Sequence, residues 1–185
     1  MNSWQSKLIN EASKKPWKNL SYKLSDCVIQ HLIGMHYSGK FDYEDITFTG
    51  NYKGMDVVNV DVGPDFGHFD YTSVPGLTQD LEQISSQVVI DKVTVVTVEP
   101  NKYIVPHIDS YKDNFRRSVI LFPIMPIQKY YAPLLFNPGA QKVTYGSSIL
   151  INTDQEHFCK NNDYWRMNLQ LWLTQPYEEI YHLVK

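Results

Sequence analysis

The sequence predicts a mainly β protein in which N-terminal helices pack on a C-terminal β-sandwich. From Val89 onward, short strand-like segments recur at a spacing of roughly 8–12 residues, with turn residues between them. This pattern is typical of a sandwich or barrel and not of a parallel α/β sheet. The 185 residues contain no repeat, low-complexity tract or linker, which favours one domain. We expect a single domain over 1–185, with helices and short strands in 1–90 and the β core in 91–176.

The composition and the N-terminal sequence indicate neither a nucleic-acid nor a membrane partner. The formal charge is −3, from 17 Lys and Arg against 20 Asp and Glu, and no basic run is present, so there is no clear nucleic-acid footprint. No apolar run approaches the ~18 residues of a membrane span, and residues 1–7 lack the apolar core of a signal peptide. Cys27 and Cys159 are too few and too far apart for a disulfide framework. We therefore expect a cytoplasmic protein with no membrane partner.

The first helix is predicted over residues 24–37. Its apolar residues recur at intervals of three and four. Ser25 and Asp26 supply residues of the type that cap a helix. The helix is expected to end near Gly39.

Two short strands are predicted next, at 46–49 and 55–62, around a turn at 51–54, because valines favour extended structure. Residues 63–76 contain several Gly and Pro residues and are expected to form a loop. A second helix is predicted over 78–88.

The second half of the chain is predicted to be strands separated by turns. The strands are expected at 93–98, 103–109, 118–122, 134–136, 148–152 and 167–173. The turns are expected at 100–101, 113–114, 123, 137–139, 146 and 161–162.

One of these strands presents a possible pair of metal ligands. His107 and Asp109 are two residues apart, so both side chains leave the same face of the strand. His157, on a later strand, would complete a 2-His-1-carboxylate triad, the set that holds non-haem Fe(II) and leaves positions open. A His-x-Asp pattern by itself is weak evidence because it recurs by chance.

Arg166 follows His157 by nine residues, with Asn161 and Asn162 between them. If the asparagines form a simple hairpin, His157 and Arg166 are cross-strand neighbours with Cβ atoms about 5 Å apart. If the chain crosses between sheets, they face each other over roughly 10 Å. In either case the guanidinium can bind a dicarboxylate whose other end chelates the metal.

The strand of Arg166 has two different faces. One carries Met167, Leu169, Leu171 and Leu173, and the other carries Arg166, Asn168, Gln170 and Trp172. We expect the second face to line a cleft; the alternative is that it is exposed to solvent, as in many half-buried strands.

Taken together, these motifs resemble the iron(II)/2-oxoglutarate-dependent oxygenases over about residues 93–175. The run from 100 to 123 looks most like the aspartyl/asparaginyl β-hydroxylase-like branch, with prolyl hydroxylases as more distant relatives. The residues that carry the resemblance are Pro106-His107-Ile108-Asp109, Arg117, Phe122-Pro123, the run 146–152, His157 and Arg166.

The resemblance implies a double-stranded β-helix, or jelly-roll, core. It also implies that His107, Asp109 and His157 are the iron ligands and that Arg166 binds the distal carboxylate of 2-oxoglutarate. The aspartyl/asparaginyl β-hydroxylases have a small residue in place of Asp109, so their peptide specificity is not inherited here.

Two further residues are cosubstrate candidates. By position, Arg117 matches a basic residue that binds the metal-proximal carboxylate of the cosubstrate in the resembled branch. Tyr103 shares the strand face of His107 and either donates its hydroxyl to the cosubstrate or is a buried tyrosine satisfied by the backbone.

The implied activity is hydroxylation of a C–H bond in a peptide residue or small metabolite by Fe(II), O₂ and 2-oxoglutarate, which is decarboxylated to succinate. The alternative is a non-catalytic or differently metallated cupin-like protein that holds Zn or Ni. Residues 1–90 are expected on the substrate side. Candidates for the rim of the site are Tyr52, His68, Tyr71, Tyr111, Tyr130 and Tyr131.

A rival metal site is a second His-x-Asp pattern, His68 and Asp70. It lies in the segment that we expect to be a loop, where no strand would hold the ligands rigidly. We therefore expect this pair to lie in a loop over the mouth of the cleft.

Overall fold

The computed structural model describes residues 15–45, 50–52, 55–57, 65–107, 118–125, 134–136, 139–141, 145, 147–160 and 163–185. The α-helices of this part are α1 (Asp26–Tyr37), α2 (Leu77–Ser85) and α3 (Tyr177–Leu183). Its strands are β1 (Trp17–Leu20), β2 (Asp42–Asp45), β3 (Gly50–Tyr52), β4 (Met55–Val57), β5 (Asp65–His68), β6 (Ile90–Val98), β7 (Tyr103–His107), β8 (Ser118–Met125), β9 (Leu134–Phe136), β10 (Gly139–Gln141), β11 (Ser148–Asn152), β12 (His157–Lys160) and β13 (Arg166–Leu173). None of the helices in the described ranges is long and apolar enough to cross a membrane.

The strands form a seven-stranded sheet in the order β1-β11-β8-β13-β6-β5-β2 and a four-stranded sheet in the order β10-β9-β12-β7. The strands β3 and β4 pair with each other. From β6 to β13 the chain passes back and forth between the two larger sheets, and the pairs within each are antiparallel. This alternation is the topology of a jelly roll, so the predicted fold class is confirmed.

Both faces of the seven-stranded sheet are buried. On one face, Met167, Leu169, Leu171 and Leu173 of β13 belong to the same hydrophobic cluster as the buried residues of all three helices. The opposite face is also buried, through Val96, Val98, Val119, Leu121, Ile149 and Ile151. The helices therefore cover one side of the sheet and leave the other side for the interior of the jelly roll.

The first helix begins two residues later than predicted. Ser25 is its N-cap residue, but the cap bonds go to another helix: the backbone N–H and the hydroxyl of Ser25 donate to the Asp80 carboxylate, at 2.7 and 2.8 Å. Gly39 follows the helix with φ of 64°, a left-handed conformation that glycine adopts without strain. The second helix ends at Ser85, three residues earlier than predicted.

The prediction of a loop over 63–76 is wrong. This segment contains β5, which pairs with β2 and β6, and a short 3-10 turn at Tyr71–Ser73. Gly67 is one of the glycines of this segment, and it marks a close approach of strands instead of a turn. A Cβ added there would lie 2.5 Å from Val95 Cγ2 and 3.0 Å from Phe41 Cβ.

Two of the four residues predicted to form the turn at 51–54 lie in a strand instead. Asn51 pairs with Asp56 and Tyr52 pairs with Met55 across β3 and β4, so both residues belong to the strand. The predicted strand at 46–49 and residues 58–62 of the next one lie outside the described residues.

Two other expected turn residues also lie in strands. Pro123 is inside β8, and Gly139 begins β10, paired with Phe136. The strand β11 pairs with β8 only as far as Leu121, so Pro123 lies beyond it and is paired on one side only, with Asn168 of β13. A proline is tolerated there because its missing N–H breaks no ladder hydrogen bond on that side.

Neither β1 nor α3 is predicted by the sequence pattern, because both are too short to show a periodicity. Tertiary contacts hold them together. Lys18 of β1 donates from Nζ to the carbonyl oxygens of Tyr181 and Val184, at 2.6 and 2.7 Å. Both carbonyls lie at the C-terminal end of α3, where helix carbonyls need partners from outside the helix.

Candidate active site

The four-stranded sheet brings two of the predicted ligands opposite each other. The strands β12 and β7 are antiparallel neighbours, and their register pairs the Cα of His157 with that of His107. Directly opposite residues of such a pair share one face of the sheet, with Cβ atoms about 4.5–5.5 Å apart. Asp109, the third predicted ligand, lies outside the described residues.

The imidazole of His157 has a defined proton position. The side chain is buried, with 8 % of its surface exposed, and its Nδ1 lies 2.9 Å from the backbone carbonyl oxygen of Gln155. Because a carbonyl oxygen only accepts, Nδ1 carries the proton and donates it. In the neutral ring the lone pair is then on Nε2, and a backbone carbonyl holding Nδ1–H is the usual support of a metal-binding histidine.

Arg166 is in the other sheet. It begins β13, is paired with Val98 of β6, and has 1 % of its surface exposed. The crossover alternative is therefore correct, and the simple hairpin that would make Arg166 a cross-strand neighbour of His157 is wrong.

The face of β13 that carries Arg166 is not exposed to solvent. Asn168, two residues further along this face, is buried, and so are Val98 and Val96, which are the β6 partners of Arg166 and Asn168. Arg166 is therefore buried, while Gln170 and Trp172, further along the same face, are half-buried. A guanidinium in such an apolar wall interacts strongly with an anion, because the local dielectric is low.

The remaining predicted site residues are placed as follows. Tyr103 begins β7 and is paired with Lys160, four residues before His107, and Arg117 lies outside the described residues. Among the described side chains, no three His, Cys, Asp or Glu groups come together. His157 is the only one of the three predicted iron ligands whose side chain is among those that the structure describes.

The rival pair His68 and Asp70 does not converge. His68 is on β5, contrary to the expectation that no strand holds it, and its Nε2 lies 3.1 Å from Glu44 Oε2. The Asp70 carboxylate instead accepts from the hydroxyl and the backbone N–H of Thr72, at 2.7 and 3.0 Å. The bond from the Thr72 hydroxyl, and to a smaller extent that from its backbone N–H, lowers the pKa of the Asp70 carboxyl. The two side chains thus serve separate local interactions.

The rim candidates are spread over different parts of the chain. Tyr52 is on β3 and Tyr71 begins the 3-10 turn. Tyr111, Tyr130 and Tyr131 lie outside the described residues.

The hydrogen bond from His157 Nδ1 to the Gln155 carbonyl is not predicted by the sequence. The residues between β11 and β12 form a turn in which the Gln155 N–H donates to the Asn152 carbonyl at 3.3 Å, and this turn presents the Gln155 carbonyl to the imidazole. The available signal was the run Asn152-Thr153-Asp154, whose residue types are common in turns.

No protein-family model matches the chain, and no curated protein is similar to it in sequence. Solved structures do share its fold. A prolyl hydroxylase from Trichoplax adhaerens, in complex with a peptide fragment of the hypoxia inducible factor oxygen degradation domain, is 17 % identical with a TM-score of 0.63, over 98 % of this chain and 97 % of that one. A viral collagen prolyl hydroxylase from Paramecium Bursaria Chlorella virus-1, in a 2-oxoglutarate complex, is 12 % identical with a TM-score of 0.61, over 87 % of this chain and 97 % of that one.

A third neighbour carries a different reaction. The non-haem, α-ketoglutarate-dependent carbocyclase SnoK from nogalamycin biosynthesis is 9 % identical with a TM-score of 0.59, over 95 % of this chain and 87 % of that one. Two of the three neighbours are prolyl hydroxylases, the branch that the sequence resembles more distantly. The chain therefore has the jelly-roll fold of the prolyl hydroxylases and other 2-oxoglutarate- and Fe(II)-dependent oxygenases.

Proposed function

We propose that this protein is an Fe(II)- and 2-oxoglutarate-dependent dioxygenase that hydroxylates a C–H bond of a peptide residue or small metabolite. The observation that carries the proposal is the pairing of His157 with His107 on one sheet of a jelly roll, with Arg166 buried at the start of a strand in the other sheet. A shared fold alone would not carry a function. The reaction class is inferred from this arrangement together with the motif order in the sequence.

In this proposal His107, Asp109 and His157 hold the iron. Two imidazoles and one carboxylate are the donor set that suits non-haem Fe(II) and leaves positions for a chelating cosubstrate and dioxygen. The Nδ1–H bond of His157 to Gln155 fits that role, since it leaves Nε2 as the basic nitrogen.

Arg166 would bind the distal carboxylate of 2-oxoglutarate. Its planar fork grips a carboxylate through two charge-assisted hydrogen bonds, and its charge cannot be lost by deprotonation. Arg117 would bind the metal-proximal carboxylate, and the Tyr103 hydroxyl would donate to the same cosubstrate.

Iron, when bound, supplies the activation of dioxygen: 2-oxoglutarate, O₂ and the substrate C–H group give succinate, CO₂ and a C–OH group, with one oxygen atom in each of succinate and product. The protein contributes position and shielding. The buried inner face around Arg166 fixes the cosubstrate and excludes water, and the crossing from one sheet to the other sets the separation between the metal ligands and the guanidinium.

The substrate would be recognised by residues 1–90. In this region the paired strands β3 and β4 are inserted between β2, an edge strand of the large sheet, and β5. The Trichoplax neighbour holds a peptide fragment, which makes a peptide one of the two substrate classes to test.

The thiol of Cys27 is free and exposed. A protein that acts in the reducing cytosol can carry such a thiol, and cell fractionation would test this location.

The test is anaerobic addition of Fe(II) with and without 2-oxoglutarate, followed by oxygen and a succinate assay. We expect a weak visible charge-transfer band that needs both additions, and uncoupled succinate formation even without the substrate. His107→Ala and His157→Ala should abolish both. His31→Ala, which removes an exposed imidazole on α1, is the matched control and should keep both.

Arg166 is tested separately. Arg166→Ala should weaken 2-oxoglutarate binding roughly 30-fold or more, the equivalent of about 2 kcal/mol or more for one partner of a buried charge pair, with metal affinity nearly unchanged. Equal losses of metal and cosubstrate affinity would mean that Arg166 is structural. Absence of the band, with no succinate above the His107→Ala variant, would reject the oxygenase in favour of a protein that only holds a metal.

A further inference from the structure

The turn that joins β11 to β12 is tied down by three hydrogen bonds of one residue. Asn152 is buried, with 5 % of its surface exposed. Its backbone N–H donates to the Pro16 carbonyl at 2.8 Å, its own carbonyl accepts from the Gln155 N–H at 3.3 Å, and its side-chain Oδ1 accepts from the Asp154 N–H at 3.0 Å. The side-chain bond closes an Asx turn inside the backbone turn.

This turn leads directly to the candidate metal site. It connects β11 of the seven-stranded sheet to β12 of the four-stranded sheet, and His157 is the first residue of β12. Within it, the Gln155 carbonyl accepts the Nδ1–H of His157 at 2.9 Å. The orientation of that carbonyl depends on the turn, and the Asn152 side chain makes one of the three hydrogen bonds that hold the turn.

We propose that Asn152 is a positioning residue for the iron centre: acting through the Gln155 carbonyl, it holds His157 in the tautomer whose proton is on Nδ1 and whose lone pair is on Nε2. This inference rests on the proposed function in one respect, since it takes His157 to be a metal ligand.

The magnitude follows from the strength of one hydrogen bond. The two neutral forms of an imidazole differ little in free energy in water, so a bond with a net worth of about 1 kcal/mol shifts their ratio about fivefold. Groups that orient a metal-binding histidine through its second nitrogen typically affect metal affinity by about 10–100-fold.

The experiment reads the tautomer and the metal affinity independently. The wild type and its variants are labelled with ¹⁵N-histidine, and two-bond ¹⁵N–¹H spectra of the metal-free proteins identify which ring nitrogen of His157 bears the proton. The chain has six histidines, and the His157→Gln variant assigns the signals. Binding of Mn(II), a redox-stable probe of an octahedral site, is then measured by electron paramagnetic resonance.

We expect the Nδ1–H form of His157 to predominate in the wild type by about fivefold. Asn152→Ala should show a mixture of the two forms and bind Mn(II) about 10-fold or more weakly. Asn152→Asp keeps an oxygen that accepts the Asp154 N–H and should restore both readouts. If Asn152→Ala does not fold, Asn152→Ser is used instead, because its hydroxyl makes the same turn bond more weakly and should give an intermediate result.

The matched control is Asp80→Ala. Asp80 also accepts a backbone N–H through its side chain, but at the start of α1 in the helical layer. Its loss should lower stability while the His157 tautomer and the Mn(II) affinity stay as in the wild type. A tautomer change in this control would mean general loosening and would overturn the inference.

Two other outcomes separate the inference from the proposed function. If Asn152→Ala keeps the wild-type tautomer, the positioning role is wrong, whatever the metal affinity. If the wild type binds no Mn(II), the proposed function fails, and the tautomer data on the metal-free proteins still decide whether Asn152 controls the imidazole.

Discussion

Gly67→Ala tests a close approach between neighbouring strands of the large sheet. Gly67 lies in the middle of β5, paired with Tyr43 of β2 on one side and Val95 of β6 on the other. An alanine Cβ would lie 2.5 Å from Val95 Cγ2, and 3.0 Å from both Phe41 Cβ and Tyr43 Cε1. Carbon atoms in contact normally lie about 3.5–4.0 Å apart, so the closest neighbour must move by about 1 Å.

That movement is costly because the neighbour is rigid. Val95 is fully buried, and a β-branched side chain has little freedom at χ1. Adding a methyl group to a packed core costs about 1–3 kcal/mol, and replacing glycine recovers up to about 1 kcal/mol from the unfolded chain. We expect a net loss of about 1–2 kcal/mol, which lowers the Tm by about 2–8 °C for a chain of this size.

The assay is urea unfolding of four proteins: the wild type, Gly67→Ala, Val95→Ala and the double variant. Because Val95→Ala removes the atom that clashes, the double variant should be more stable than the sum of the two single changes by about 1 kcal/mol or more. Gly34→Ala in α1 is the matched control. A Cβ there meets nothing within 4 Å, so the higher helix propensity of alanine should raise stability by about 0.5–1 kcal/mol.

The reasoning fails if Gly67→Ala is as stable as the wild type. It also fails if the effects of Gly67→Ala and Val95→Ala simply add, since the cost would then come from something other than the contact with Val95.

Two further predictions concern a half-buried histidine and the C-terminal helix. His36 packs against aromatic rings, and burial lowers its pKa below the usual 6.5. As the pH falls, the unfolded chain therefore takes up the proton before the folded one does. The free energy of unfolding should then decrease below about pH 6.5, by at most about 1.4 kcal/mol per pH unit for one group. Urea midpoints between pH 5 and 8 should show this slope reduced in His36→Phe and kept in His31→Ala; equal slopes in both variants would contradict it. Lys18→Met removes the donor to the carbonyls of Tyr181 and Val184 and should cost roughly 1–2 kcal/mol, with faster hydrogen exchange in α3 than in α1. Unchanged exchange in α3 would show that packing alone holds that helix.

The strongly patterned elements could be predicted from the sequence. The strand at 148–152 has the predicted bounds because its short apolar run lies between residues typical of turns. The helix α1 differs from its prediction by two residues at its start, and its apolar residues recur at intervals of three and four over most of its length. Some short elements could also be predicted, since β9 has the expected bounds 134–136. Gly67 has the residue type of a turn, but its strand is held by β2 and β6, which lie far away in the sequence.

The site divides in the same way. Residue types and their spacing in the sequence determined the motif order His-x-Asp, His and Arg and the expectation of a sandwich or barrel, because strand alternation and ligand chemistry are local properties of the chain. The jelly-roll core is what the resemblance to the 2-oxoglutarate-dependent oxygenases implies. Only the tertiary structure decided that His157 and Arg166 lie in different sheets, that His157 is opposite His107, and that the Gln155 carbonyl sets the imidazole proton. Sheet membership and register depend on which distant strands bury each other's faces, and no local pattern records that choice.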